Sequence, residues 1–136
     1  MARRTHFFVQ TLRTASPEYA IAWLSDTHWQ PRVDVYQTEQ EILIHVDVAG
    51  VREDDLRLHF EDGALVIEGH RERPSIPCPQ HSLQVEISYG EFRRTLPLPH
   101  DIDVHAIRAE YSDGLLRITV PRREREMHKV KIQVGS

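Results

Sequence analysis

The chain has 136 residues, 40% of them apolar and 28% charged, with a formal net charge of −4. That size accommodates one ordinary domain with short extensions, the net acidity argues against nucleic-acid binding through bulk electrostatics, and one cysteine, Cys78, excludes an internal disulfide. There is no apolar run long enough for a membrane span, and only three apolar residues follow the basic start, so the expectation is a soluble cytoplasmic protein without stable membrane insertion.

Residues 1–30 read as an N-terminal arm. Phe7, Phe8, Leu12, Tyr19, Ile21, Trp23, Leu24 and Trp29 are scattered among polar residues, with a weak helical spacing over 19–24. Residues 31–121 alternate with a period of two, the signature of strands with one buried face. Val33 and Val35 open the pattern. Ile42, Ile44, Val46 and Val48 follow with His45 facing outward, then Leu56, Leu58 and Phe60 with His59 outward. Glu61-Asp62-Gly63-Ala64 is a tight hairpin signal leading into Leu65 and Ile67. Residues 71–81 carry Pro74, Pro77 and Pro79 and form a loop that projects from the body. Leu83, Val85 and Ile87 alternate again. Phe92, Arg94, Leu96 and Leu98 come next, with Pro97 and Pro99 confining that strand to an edge or an end. Ile107, Ala109 and Tyr111 then turn at Ser112-Asp113-Gly114 into Leu116, Ile118 and Val120. About eight short strands without a long helix predict an all-β, immunoglobulin-like antiparallel sandwich. Residues 122–136 are a charged tail that ends in an apolar strip, Val130, Ile132 and Val134.

Charge is unevenly spread. Residues 34–68 hold ten acids against Arg52 and Arg57, whereas residues 117–131 hold six bases against Glu124 and Glu126. An acidic body and a basic tail either attract between copies or form an ordinary solvated surface.

Five fragments stand in order: Trp29-Gln30-Pro31-Arg32-Val33-Asp34-Val35-Tyr36; Val48-Ala49-Gly50-Val51 with Glu53-Asp54-Asp55-Leu56; Ser88-Tyr89-Gly90-Glu91-Phe92-Arg93-Arg94; Ala109-x4-Gly114-x-Leu116; and Ile132-Gln133-Val134, with Val130-Lys131-Ile132 as an overlapping register. Together they resemble the small heat shock protein, or α-crystallin, family of bacterial type, with Ala49 in place of the usual proline. The resemblance covers roughly residues 29–134 and implies an ATP-independent holdase that binds partly unfolded client proteins, a homodimer building larger homo-oligomers. It implies that Ile132 and Val134, or Val130 and Ile132, insert into a groove of a neighbour lined by Leu58, Phe60, Ile107 and Ala109; the alternative is a final strand of the same domain. It implies that Leu83, Val85 and Ile87 form a strand exchanged between subunits, against the alternative of an ordinary long hairpin. Arg94 corresponds to an interface arginine, with Glu86 a candidate partner, or else it is a surface side chain. The arm residues Phe7, Phe8, Leu12, Trp23 and Leu24 correspond to the client and assembly segment, while Trp29 is expected to pack on the sandwich. Ala109, Gly114 and Leu116 read as fold determinants.

Catalytic and cofactor chemistry finds no support in the residues. The chain has no G-x4-G-K-[ST] or G-x-S-x-G, and its only lysines are Lys129 and Lys131. None of the nine histidines falls in a metal-ligand spacing, and His45 and His59 read as surface residues. Neither a cofactor nor a metal is expected, and Cys78 reads as an incidental loop residue. The competing interpretation is a co-chaperone adaptor with a related sandwich of the CS type, which binds a partner chaperone instead of clients.

Overall fold

A computed structural model describes residues 28–77, 81–124 and 131–135, and the backbone of residues 5–7 and 10–11. Two sheets face each other. One has five strands in the order β1 (Thr5–Phe7), β8 (Arg108–Ser112), β9 (Leu115–Pro121), β4 (Glu41–Asp47) and β3 (Val33–Gln37). The other has four, β2 (Gln10–Thr11), β5 (Leu56–Glu61), β6 (Ala64–Arg71) and β7 (Gly90–Pro97). Every pair is antiparallel except β2 with β5. The fold is the all-β sandwich the alternation predicts.

Period-two patterning becomes burial because each sheet can hide only one face. Ile42, Ile44 and Val46 of β4 and Leu116, Ile118 and Val120 of β9 are almost fully buried. Leu58, Leu65, Ile67 and Phe92 meet them from the other sheet. Each such side chain removed from water contributes about 1.5–3 kcal/mol. The two Asp-Gly hairpins work as their residues dictate: Asp62 and Gly63 have φ 48° and 74°, and Asp113 and Gly114 have φ 54° and 77°. Two successive positive φ values define the type I′ turn, whose twist suits adjoining strands. Gly114 also makes room for a neighbour. A Cβ there would stand 3.1 Å from Ala49 Cα, and the Val48 N–H donates to the Gly114 carbonyl at 3.0 Å. The 48–51 turn and the β8–β9 hairpin are therefore a single packed unit. Tyr111 completes it by donating to the carbonyls of Val51 (2.7 Å) and Val48 (3.2 Å).

Residues 83–87 lie in no strand of their own chain, so the ordinary long hairpin does not form. Two expectations need correction. The arm, read as lacking periodicity, supplies β1 and β2. Backbone pairing along an exposed edge needs extended main chain but no side-chain pattern. His59, read as a surface residue, faces away from the core as expected yet is only 5% exposed.

Burial and loss of bulk solvent raise the pKa of the Tyr111 hydroxyl above the ordinary value near 10, with the Glu53 carboxylate adding to the shift. The native state therefore favours the protonated phenol: its contribution is complete below the unfolded pKa and is lost as pH climbs through the folded one. Tyr111→Phe is expected to cost about 1–3 kcal/mol in urea unfolding at neutral pH, and that difference should shrink above about pH 10. A pH-independent difference would contradict the assignment. At Gly69 a Cβ would meet the Asp55 carbonyl and come within 2.6 Å of Phe92 Cζ. Gly69→Ala should therefore destabilise by at least about 1–3 kcal/mol. An unchanged unfolding midpoint would show that the β6–β7 contact is looser than described.

Candidate functional site

The functional candidates lie at the sheet edges, where backbone groups lack partners. At the outer edge of β3 no described strand pairs further. Register places Val35 opposite Ile44, on the inward face, yet Val35 is 52% exposed. Tyr36 points the other way, stacks edge-on against His45 at 5.8 Å and is also 52% exposed. The second apolar surface is in the loop joining β6 to β7. There Leu83 is 97% exposed, Val85 58% and Ile87 60%.

One arginine holds the stem of that loop. Arg71, the last residue of β6, donates from Nε and Nη2 to the Ser88 carbonyl at 2.8 and 2.6 Å, and from Nη1 to the Ala49 carbonyl at 3.0 Å. Its guanidinium lies 4.2 Å from the centroid of Trp29, whose ring packs 5.0 Å from Phe92. Trp29 is thus fixed on the sandwich as expected, with its indole N–H on the Gly90 carbonyl at 3.0 Å. The planar guanidinium can serve two carbonyls and one ring face together, which an ammonium cannot. Nothing in the sequence marked Arg71, because charge at a strand end does not reveal its partners.

The groove residues are brought together, but the tail is not in them. Leu58, Ile107 and Ala109 are buried and Phe60 is half-buried. Both flanking edges carry the chain's own arm: Phe7 pairs with Ala109, and Thr11 with Phe60. Ile132 and Val134, 83% and 89% exposed, lie in no strand. Val130, Cys78, Phe8, Leu12, Trp23 and Leu24 fall outside the described residues, as does the side chain of Phe7. Arg94 shares the phase of Phe92 and Leu96 and reaches Gln30 Oε1 at 3.4 Å rather than Glu86. The tail also begins later than its composition indicated. Arg122 binds Asp101 Oδ2 at 2.6 Å and the Thr38 carbonyl at 2.9 Å, and the Arg123 N–H donates to the Asp101 carbonyl at 2.7 Å. These bonds hold Arg122 and Arg123 against the domain. Among the described residues no group of three or more His, Cys, Asp or Glu is placed to hold a metal, and no helix is long and apolar enough to cross a membrane.

A sandwich of two sheets with an open β3 edge, an apolar loop on the opposite sheet and an apolar tail is the architecture of an α-crystallin domain. The family model described as Hsp20/alpha crystallin family matches residues 34–135. Heat shock protein 16 of Schizosaccharomyces pombe is 31% identical over 106 residues, covering 76% of this chain and 74% of its own. The probable 15 kDa heat shock protein of Leptospira interrogans is 33% identical over 104 residues, covering 76% and 78%. The crystal structure of a small heat-shock protein from Xylella fastidiosa superposes with a TM-score of 0.67 at 32% identity, covering 80% of this chain and 99% of that one. The chain belongs to the Hsp20/alpha crystallin family of small heat shock proteins, which are chaperones rather than enzymes.

Arg71→Ala removes three hydrogen bonds and a ring contact at a half-exposed site, so a loss of about 1–2 kcal/mol in unfolding free energy is expected. Amide exchange at residues 88–90 should accelerate with it. A midpoint and exchange pattern identical to the parent chain would exclude the clamp.

Proposed function

We propose that the protein is an ATP-independent holdase whose building block is a dimer made by reciprocal exchange of residues 83–87, and whose larger assemblies are held by the C-terminal tail. The observation that carries the dimer is a match between two unsatisfied surfaces. An edge strand with exposed Val35 and Tyr36 lies on one sheet, and the apolar segment with Leu83, Val85 and Ile87 hangs from the other. An open edge is a template for another strand, and a two-fold operation satisfies both copies at once. The Arg71 clamp favours this arrangement by fixing where the loop leaves the domain.

The tail reading rests on Ile132 and Val134, spaced to face the same side of an extended segment and exposed in the isolated chain. Docking each side chain between β5 and β8 of a neighbour contributes about 1.5–3 kcal/mol before ordering costs. One contact of that size exchanges readily, and many together hold an assembly by avidity. Because β1 and β2 lie along the same two edges, the tail of a neighbour has to share or displace them. Client capture is assigned to the aromatic arm, Phe7, Phe8, Leu12, Trp23 and Leu24, since adaptable apolar contacts suit partners of no fixed shape.

Light scattering from a heat-labile enzyme, mixed with the protein at equal mass and without ATP, should be strongly suppressed; full scattering would reject the holdase reading. In size-exclusion chromatography Ile132→Ala with Val134→Ala should reduce larger particles to dimers, and Val85→Asp with Ile87→Asp should yield monomers. Unchanged elution of either variant would remove the interface it targets.

A further inference from the structure

The arm pairs with an edge of each sheet. β1 lies antiparallel on β8, with Thr5 opposite Tyr111, His6 opposite Glu110 and Phe7 opposite Ala109. β2 lies parallel on β5, with Gln10 opposite His59 and Thr11 opposite Phe60. Apart from the arm, β8 and β5 are end strands of their two sheets. Facing sheets pack about 10 Å apart, and the three Cα steps from Phe7 to Gln10 span at most about 11 Å. The two edges therefore adjoin, and the arm holds both sides of the groove between them.

Each edge can accept one strand. β9 takes the other side of β8 and β6 the other side of β5, which leaves a single outward row of amides and carbonyls on each. The arm uses those rows at Ala109 and Phe60, both groove residues. Arm and tail are also alike in chemistry. Phe7, Phe8 and Val9 follow Arg3 and Arg4, while Val130, Ile132 and Val134 accompany Lys129 and Lys131. β1 and β2 have only three and two residues, and short strands near a chain end open at little cost. A competitor of similar chemistry can expel an occupant held so loosely.

We propose that residues 5–11 are the resident occupant of the groove between β5 and β8, and that the tail of a neighbour docks only by expelling them. The inference rests on the tail reading above and adds what regulates it: a groove accepts a tail only for the fraction of time its own arm is away. Each tail contact frees Phe7 from its place opposite Ala109, so assembly and release of the arm rise together. Linkage is reciprocal. A client that holds the released arm strengthens tail docking by the same factor that docking strengthens client binding.

The test uses a fluorescent peptide of residues 128–136, with the full chain carrying Ile132→Ala and Val134→Ala as host so that its own tails do not compete. Thr5→Pro, His6→Pro, Gln10→Pro and Thr11→Pro are then added to release the arm. Of two adjacent strand residues one directs its N–H at the partner, and proline removes that donor. The changes spare Phe7 and the sandwich core. Fluorescence anisotropy should show the peptide binding the proline variant at least about ten-fold more tightly than the host, as holds when the groove is free no more than about a tenth of the time. Saturating the host with peptide should also bring amide exchange of residues 5–7 and 10–11 to the rate of free chain, a readout that needs no change in the arm. Equal affinity for the two chains, or arm amides still protected in the saturated host, would overturn the exclusion and leave the tail reading standing. Absence of binding to a proline variant that melts at the temperature of the host would remove the tail reading, and this inference with it.

Discussion

The unpaired backbone of a sheet edge is the constraint on which the rest of this molecule depends. A sandwich of two open sheets has four edges, each a row of amides and carbonyls that must find water or another strand. Here the edge of β8 carries β1, the edge of β5 carries β2, and the edge of β7 carries Trp29 through two main-chain bonds. Among the described residues, β3 is an end strand of the five-stranded sheet with no further strand on its outer side. It is also the strand whose inward valine, Val35, is half exposed. The domain is complete in its core and open along the β3 margin.

The arginines translate that geometry into position. Arg71 ties the two ends of the β6–β7 loop to the 48–51 turn and to Trp29, and Arg122 fastens the chain to Asp101 and Thr38 just before the tail leaves. Each planar fork fixes a direction as well as a contact. Loop and tail thus depart from defined points, so their apolar side chains are presented outward. Gly114 and Ala49 do the corresponding work at the end of the β8–β9 hairpin, where the absence of a Cβ on Gly114 lets a turn and a hairpin lock together.

Much of this was legible from the residues. Strand alternation gave the inward face of β4, β5, β6, β8 and β9, because burial on a sheet has the same period as the chain itself. The Asp-Gly pairs located both type I′ turns, because few other residues accept two positive φ values. What the pattern could not reveal were contacts set by position in three dimensions. The arm strands β1 and β2 pair through main chain and leave no side-chain signature. Arg71 and Arg122 look like any surface arginine until their carbonyl partners are in view. His59 was read as solvated because alternation gives the direction of a side chain, not what lies over it. Residues 83–87 alternate like a strand but pair with no described strand of their own chain, so the periodicity was real and the intrachain pairing absent.

Hydrogen–deuterium exchange of the native assembly, followed through peptides covering residues 33–37 and 83–88, measures the open margin most directly. The account predicts slow exchange in both segments, lost together when dilution separates the subunits. Fast exchange of both segments in the intact assembly, at the rate of free backbone, would contradict it.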